Sequence, residues 1–330
     1  MLHKIIAGTP DMPTISLSKM RYDITLPLFD GRAGVEGVTF APQADSPMVF
    51  GDVPALRAGN SGLWDLNLGY WLNGIEAGWD FVTLPLFIKR KSVLQVIFVR
   101  TDAGIERPAD LAGKRIGSRS YRTSVTIWAR GLLAEHYGVD LAATRWAVQT
   151  AEYFPQHGTA PKVEQIDPKA SLADLLIAGE IDAMITDISD GPLWRRLESS
   201  PTVRRLVPDY AAEDLRLHRD HGVFPPMHLM VMGGPLARAH PEMPRKIYDA
   251  FEKAKSLAYL DTVNDRGGLT LVDMRERFFE QQDRWGDPWV YGIKANRRMI
   301  DAFVRYNLEQ GAIKSPLSDR QIFAAGTLDT

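Results

Sequence analysis

Apolar positions along this chain recur with two periods, and the change from one to the other marks its elements. From Lys114 to Gly138, KRIGSRSYRTSVTIWARGLLAEHYG, a short strand pattern passes through a polar turn into Val125, Trp128, Ala129 and Leu132 at helical spacing. That spacing predicts a long helix with one buried face, Arg130 and Glu135 lying on the solvated side. Upstream, Thr14 to Tyr22 reads as a first strand, a loop carries Asp23, Thr25 and Asp30, Val35 to Phe40 forms a second strand, and Met48 to Ala58 a short helix. Leu63 to Leu68 alternates like a strand, with Asp65 and Asn67 on the face opposite Leu66 and Leu68, and a helix through Trp71 and Ile75 ends at Gly78. Phe81 to Ile88 and Val93 to Val99 are apolar enough for buried strands, leaving Lys89, Arg90 and Lys91 between them as a basic surface loop.

Beyond Arg100, Pro108 opens and Gly113 closes a short helix. After the central helix come strands at Arg145 to Val148 and Val163 to Ile166, a helix over Ser171 to Ala178 closed by Gly179, and a buried strand from Ile181 to Thr186 that ends at Asp187. This alternation predicts an α/β lobe with a largely parallel sheet, whose ligands bind at the carboxyl ends of the strands. GVFPPMHLMVMGG then gives a strand over Met227 to Met232 with His228 near its start, and the remainder is helical: Pro241 to Tyr259, Leu271 to Trp285 and Ala295 to Glu309.

Composition narrows the function. With 330 residues the chain has room for two lobes, each with a core. A formal charge of -2, without a basic block, gives no reason to expect nucleic acid. Zero Cys excludes disulfides, thiolate catalysis and Cys-ligated zinc. No apolar run is long enough to span a membrane, and the N-terminal stretch, broken by Gly8 and Pro10, is too short for a signal-peptide core. A cytoplasmic protein is expected, with its oligomeric state open, a homo-oligomer included.

The candidate chemistry lies first at the polar turn. Ser118, Arg119, Ser120, Tyr121, Arg122 and Thr123 place hydroxyls and two guanidinium groups at a helix N-terminus, where free backbone N–H groups and the helix dipole attract an anion. The plainer alternative is that Ser120 or Thr123 caps the helix and both arginines are solvated. His228 is the best acid on the chain, since an imidazole takes and gives protons near neutral pH, although from the residues alone a packed, hydrogen-bonded strand histidine is the favoured reading. Asp65 and Asp187, at strand ends, are positioned to orient it or to take a proton, although solvation or capping is the commoner fate of such carboxylates, while Asp23 and Asn67 complete the candidate contacts. His218 and His221 form the only close histidine pair, yet LRLHRDHG is polar on all sides and reads as a solvated turn, so no metal is expected. Gly233-Gly234 lacks a nucleotide-binding frame, and no cofactor is expected.

Taken in order, RTDAGIERPADLAGKRIG, SYRTSVTIWARGLLAEHYGV, IDAMI, GVFPPMH and WVYGIKANRRMIDAFVRYNLEQG resemble the 4,5-dihydroxyphthalate decarboxylase family, itself similar in fold to the type II periplasmic solute-binding proteins. One departure is Arg119-Ser120 before Tyr121, where that family usually has Pro-Glu. The resemblance implies an α/β two-lobed clamshell with mixed, mainly parallel sheets and a helical C-terminal part. Residues 1–99 and 223–330 would form one lobe, 100–222 the other, with a small anionic aromatic substrate in the cleft. It implies decarboxylation of a hydroxylated aromatic acid by ring protonation and loss of CO2, with Arg119 and Arg122 as the carboxylate clamp and His228 as the acid. The competing expectation is a solute-binding protein or sensor that holds such a molecule without converting it.

Overall fold

The computed structural model describes residues 14–17, 22–42, 57, 62–158, 161–186, 191–266 and 272–330. Two sheets organise them. The first runs β2-β1-β3-β11-β4. In it β1 (Thr14–Leu17) is parallel to β2 (Thr39–Pro42) and β3 (Leu63–Asn67), while β11 (Pro226–Gly233) lies antiparallel between β3 and β4 (Phe81–Arg90). The second runs β10-β5-β9-β6-β7-β8. Here β9 (Ala183–Ile185), β6 (Arg115–Ser118), β7 (Arg145–Val148) and β8 (Lys162–Gln165) are parallel, and β5 (Ile97–Arg100) and β10 (Val203–Arg205) complete the edge in antiparallel pairing. A late strand is thus wedged between two early ones, so the chain leaves the first sheet after Arg90 and returns to it at Pro226.

The chain thus leaves the first sheet ahead of residue 99. The apolar run Val93 to Val99 is not one strand: Leu94–Val96 coils into a 3-10 turn, with the Ser92 hydroxyl accepting from the Gln95 N–H at 3.0 Å. Ile97, Phe98 and Val99 then pair with Ile185, Met184 and Ala183 inside the second sheet. Nor is the basic trio a surface loop, because β4 continues through Arg90, which is 5% exposed. Its guanidinium donates to Phe224 O at 2.8 Å, Val290 O at 3.2 Å and Asn296 Oδ1 at 2.6 Å, and burial pushes its pKa down to about 10. A guanidinium is tolerable in a core when its terminal nitrogens find acceptors in this way, here with Nε left without a partner among the described residues. Arg90 therefore ties the outgoing chain to the returning one and to the YGIKANRR segment.

Other expectations shift for local reasons. The second strand is Thr39–Pro42 rather than Val35 to Phe40, and the loop after β1 contains a 3-10 turn, Asp23–Thr25, running into a helical turn, Leu26–Phe29. LRLHRDHG is no turn but the end of a helix, Tyr210–His221, started by Asp209 accepting from Ala212 N and stopped by Gly222 in the left-handed region. Its Leu217 is buried, which supplies the apolar contact that the polar reading overlooked. The helix expected over Met48 to Ala58 lies outside the described residues, residue 57 excepted.

The central helix, Ser124–Tyr137, is capped by Thr123 and closed by Gly138 at φ +66°. Arg130, expected on its solvated side, is 1% exposed: it donates to Gln310 Oε1 at 2.8 Å and Tyr121 O at 2.6 Å and lies 3.6 Å above the Tyr121 ring. The helix is buried on that side because the C-terminal helix Arg297–Glu309 packs there, with Gly131 against the Tyr306 ring, where any Cβ would collide. Long helices do fill the C-terminal part, Met243–Val263 covering the first sheet through Ile247 and Phe251. Among the described residues no helix is long and apolar enough to cross a membrane.

Candidate active site

Because β11 lies between β3 and β4, its register sets His228 opposite Asn67 on one side and Lys89 on the other. Asp65, two residues before Asn67, shares the Asn67 face, since side chains alternate along a strand. His228 Nδ1 is 2.5 Å from Asp65 Oδ1, with Asp65 buried and 12% of the His228 side chain exposed. Tyr22, entering from the segment after β1, donates its hydroxyl to Asp65 Oδ2 at 3.2 Å.

Asn67 settles the orientation of the ring. Its Oδ1 accepts from Gly69 N at 2.9 Å and Ser124 N at 3.1 Å, capping the helix Leu68–Glu76 while also meeting the first N–H of the central helix. With the oxygen so used, Nδ2 is the atom that donates to Ser124 Oγ at 3.1 Å and faces His228 Nε2 at 3.4 Å. An amide N–H beside Nε2 and a carboxylate at Nδ1 select the tautomer that carries its proton on Nδ1. In that tautomer the Nε2 lone pair faces the Asn67 amide, and a proton placed on Nε2 would set a positive charge against Asp65.

The two helix starts meet without space between them. A Cβ on Gly69 would collide with the carbonyl oxygen of Arg122, so this crossing is open only to glycine.

Around Tyr121 the expected anion cradle is already filled by the chain itself. Glu152 Oε1 accepts from Tyr121 N at 2.6 Å and from Ser120 Oγ at 3.0 Å, so an acidic group does stand at this turn, delivered from a later loop. Tyr121 is a core residue, beneath Arg130 and edge-on to Trp146 at 5.3 Å. Thr123 is the helix cap, accepting from Thr126 N. Arg122 does not offer a clamp: its guanidinium donates to Phe154 O at 3.0 Å, Pro155 O at 2.9 Å and Gln156 Oε1 at 2.7 Å, and it is 5% exposed. Arg119 stands with Glu152 close enough to Tyr70 that their charges act on its phenol in opposite directions, while burial raises the phenol's pKa.

Of the remaining candidates, Asp23 is exposed and accepts from its own neighbour Ile24 N at 2.8 Å; the adjacent Tyr22 is the residue that reaches Asp65. Asp187 lies outside the described residues. The histidine pair divides, His218 meeting Trp285 O at 3.1 Å and His221 stacking on His136 at 4.4 Å. Tyr22, Ser124 and Glu152 were not singled out in the sequence. Ser124 was signalled only by its place beside a helix cap, and nothing local distinguishes Tyr22 or Glu152.

An imidazole backed by a buried carboxylate and itself partly exposed is a device for moving a proton at near-neutral pH. No family model matches the chain. A protein of Comamonas testosteroni named 4,5-dihydroxyphthalate decarboxylase is 27% identical over 335 aligned positions, covering 96% of this chain and 98% of that protein. Among solved structures, a sulfonate ABC transporter's periplasmic sulfonate-binding protein SsuA from Methylobacillus flagellatus superposes with a TM-score of 0.56 at 13% identity, covering 96% of this chain and 92% of its own. The desulfurization enzyme DSZB does so with a TM-score of 0.51 at 15% identity, covering 96% and 97%. The chain is therefore similar along nearly its whole length to a 4,5-dihydroxyphthalate decarboxylase, built on the α/β, two-lobed fold of the SsuA-type periplasmic binding proteins.

Proposed function

We propose that the protein is a cofactor-independent decarboxylase of a hydroxylated aromatic dicarboxylic acid resembling 4,5-dihydroxyphthalate. The observation that carries this reading is the Asp65–His228 pair, with the imidazole tautomer set by Asn67. His228 takes a proton at Nε2 and becomes an imidazolium held by Asp65, then delivers that proton to the ring carbon bearing the carboxylate. The carbon–carbon bond breaks, its electron pair restores the aromatic ring, and CO2 leaves. The net change, ArCO2⁻ plus H⁺ to ArH plus CO2, moves no electrons to or from an acceptor. A spectator carboxylate needs a fixed cation. With Arg122 turned to the 154–156 loop, we assign that role to Lys89, in register opposite His228, and to Arg119. The substrate lies in the cleft between a lobe built on the first sheet and one built on the second, with crossings at 91–96 and 222–225.

Incubating the purified protein with 4,5-dihydroxyphthalate and following CO2 and a dihydroxybenzoate product tests this directly. Saturable binding with no turnover would sink the enzyme reading and leave a solute-binding protein or sensor, which the shared fold equally accommodates.

A further inference from the structure

The proton on His228 answers to more than its immediate carboxylate. Tyr22 is held at its backbone by Thr25: its N–H donates to Thr25 Oγ1 at 3.1 Å, and its carbonyl accepts from Thr25 Oγ1 at 2.9 Å and Thr25 N at 2.9 Å. Thr25 itself is buried, so this turn fixes where the phenol points. The hydroxyl meets Asp65 Oδ2, the oxygen other than the one His228 touches. The charged and titratable groups brought against His228 are thus Asp65 on β3 and, in register on β4, Lys89, with Tyr22 behind Asp65.

We propose that Tyr22 is a positioning residue for the reaction, setting both the orientation of Asp65 and the readiness of His228 to release its proton. By occupying Oδ2 it keeps Oδ1 aimed at Nδ1. By donating to the carboxylate it also withdraws negative charge from it, which weakens the hold on the imidazolium and eases transfer from Nε2 to the ring carbon. In that transfer the Nε2–H bond breaks and a C–H bond forms; the Tyr22 proton stays on its oxygen throughout. Burial, followed by the Asp65 charge, raises the phenol's pKa well above its ordinary value, so it remains a donor at every working pH. The catalytic part of this inference rests on the decarboxylase reading; the coupling of Tyr22 to the His228 titration does not.

The test is Tyr22→Phe, which removes one oxygen. Nitrogen-detected NMR titration of the His228 ring, without substrate, should show its pKa raised by about 0.5–1 unit. With 4,5-dihydroxyphthalate, kcat should fall about tenfold, its pH profile moving in the same direction, while KM stays within about twofold. Placed on an Asp65→Asn background, the same substitution should have almost no further effect on either reading, because the group it acts through is gone. A His228 titration unchanged in Tyr22→Phe, or an equal effect with and without the Asp65 carboxylate, would overturn the proposal. Should the wild-type protein show no turnover while the NMR shift is present, the coupling stands and the decarboxylase reading falls. If Tyr22→Phe does not fold, Thr25→Val, which releases the turn, should raise the His228 pKa in its place, and an unchanged titration there overturns the proposal equally.

Discussion

His228 and Arg122 make opposite use of their nitrogens. His228 has one nitrogen on Asp65 and the other beside an amide N–H at 3.4 Å, a long contact that an incoming proton would displace. Replacing it with Asn keeps the approximate size but removes the titrating group, so kcat should drop about 10²- to 10⁴-fold with affinity little changed. Turnover near wild type in that variant would remove His228 from the chemistry. Arg122, by contrast, donates to three acceptors of the 154–156 loop. Arg122→Ala should therefore cost about 1–3 kcal/mol in a urea denaturation while the ligand dissociation constant moves less than about twofold. A large loss of affinity at unchanged stability would show the guanidinium to be a ligand contact after all. In the sequence both residues read as candidate site groups, because residue type announces what a side chain can do and not whether a neighbour already occupies it.

Among the elements, the start of the central helix and the start of Leu68–Glu76 form one unit through Asn67 and the Gly69 crossing. Gly69→Ala places a methyl group against a backbone oxygen that cannot rotate away. It should destabilise by about 1–3 kcal/mol and depress kcat as Asn67 is displaced; thermal unfolding and steady-state kinetics on the variant decide this, and wild-type values in both would show the crossing to be loose. Element types were legible where periodicity was unbroken and caps were in place, as at Thr123 and Gly138 or Ser171 and Gly179. They failed at Val93 to Val99, where an apolar run hides a turn, and at Arg130, whose charge suggested solvent although a stacked ring and two oxygens await it.

For the molecule as a whole, stability is linked to the path between the sheets. Asp214, on the helix Tyr210–His221, is buried, and desolvation pushes its pKa up to about 6 against an opposing hydrogen bond from Ser92 on the outgoing crossing. A raised folded pKa means that the folded state holds the proton more tightly, so this contribution is complete below about pH 4 and is lost as pH rises through 6. Asp214→Asn should consequently gain up to about 3 kcal/mol over the wild type at pH 8 and almost nothing at pH 4. Equal gains at both pH values, measured by denaturant unfolding, would mean that the carboxyl does not titrate there.

By itself the sequence determined the α/β alternation, most helix ends, the resemblance to a decarboxylase and the pair of residue types, Asp65 and His228, suited to proton transfer. Those properties depend on local spacing and on side-chain chemistry, both written along the chain. Only the tertiary structure decided that residues 163 positions apart would meet, because that depends on β11 entering between β3 and β4 in one register. It likewise decided that the most anion-friendly turn in the sequence is occupied by Glu152 and that Arg122 faces a loop. A hydrogen-bonding group is chemically available only when nothing nearer has taken it, and nearness is set by the fold.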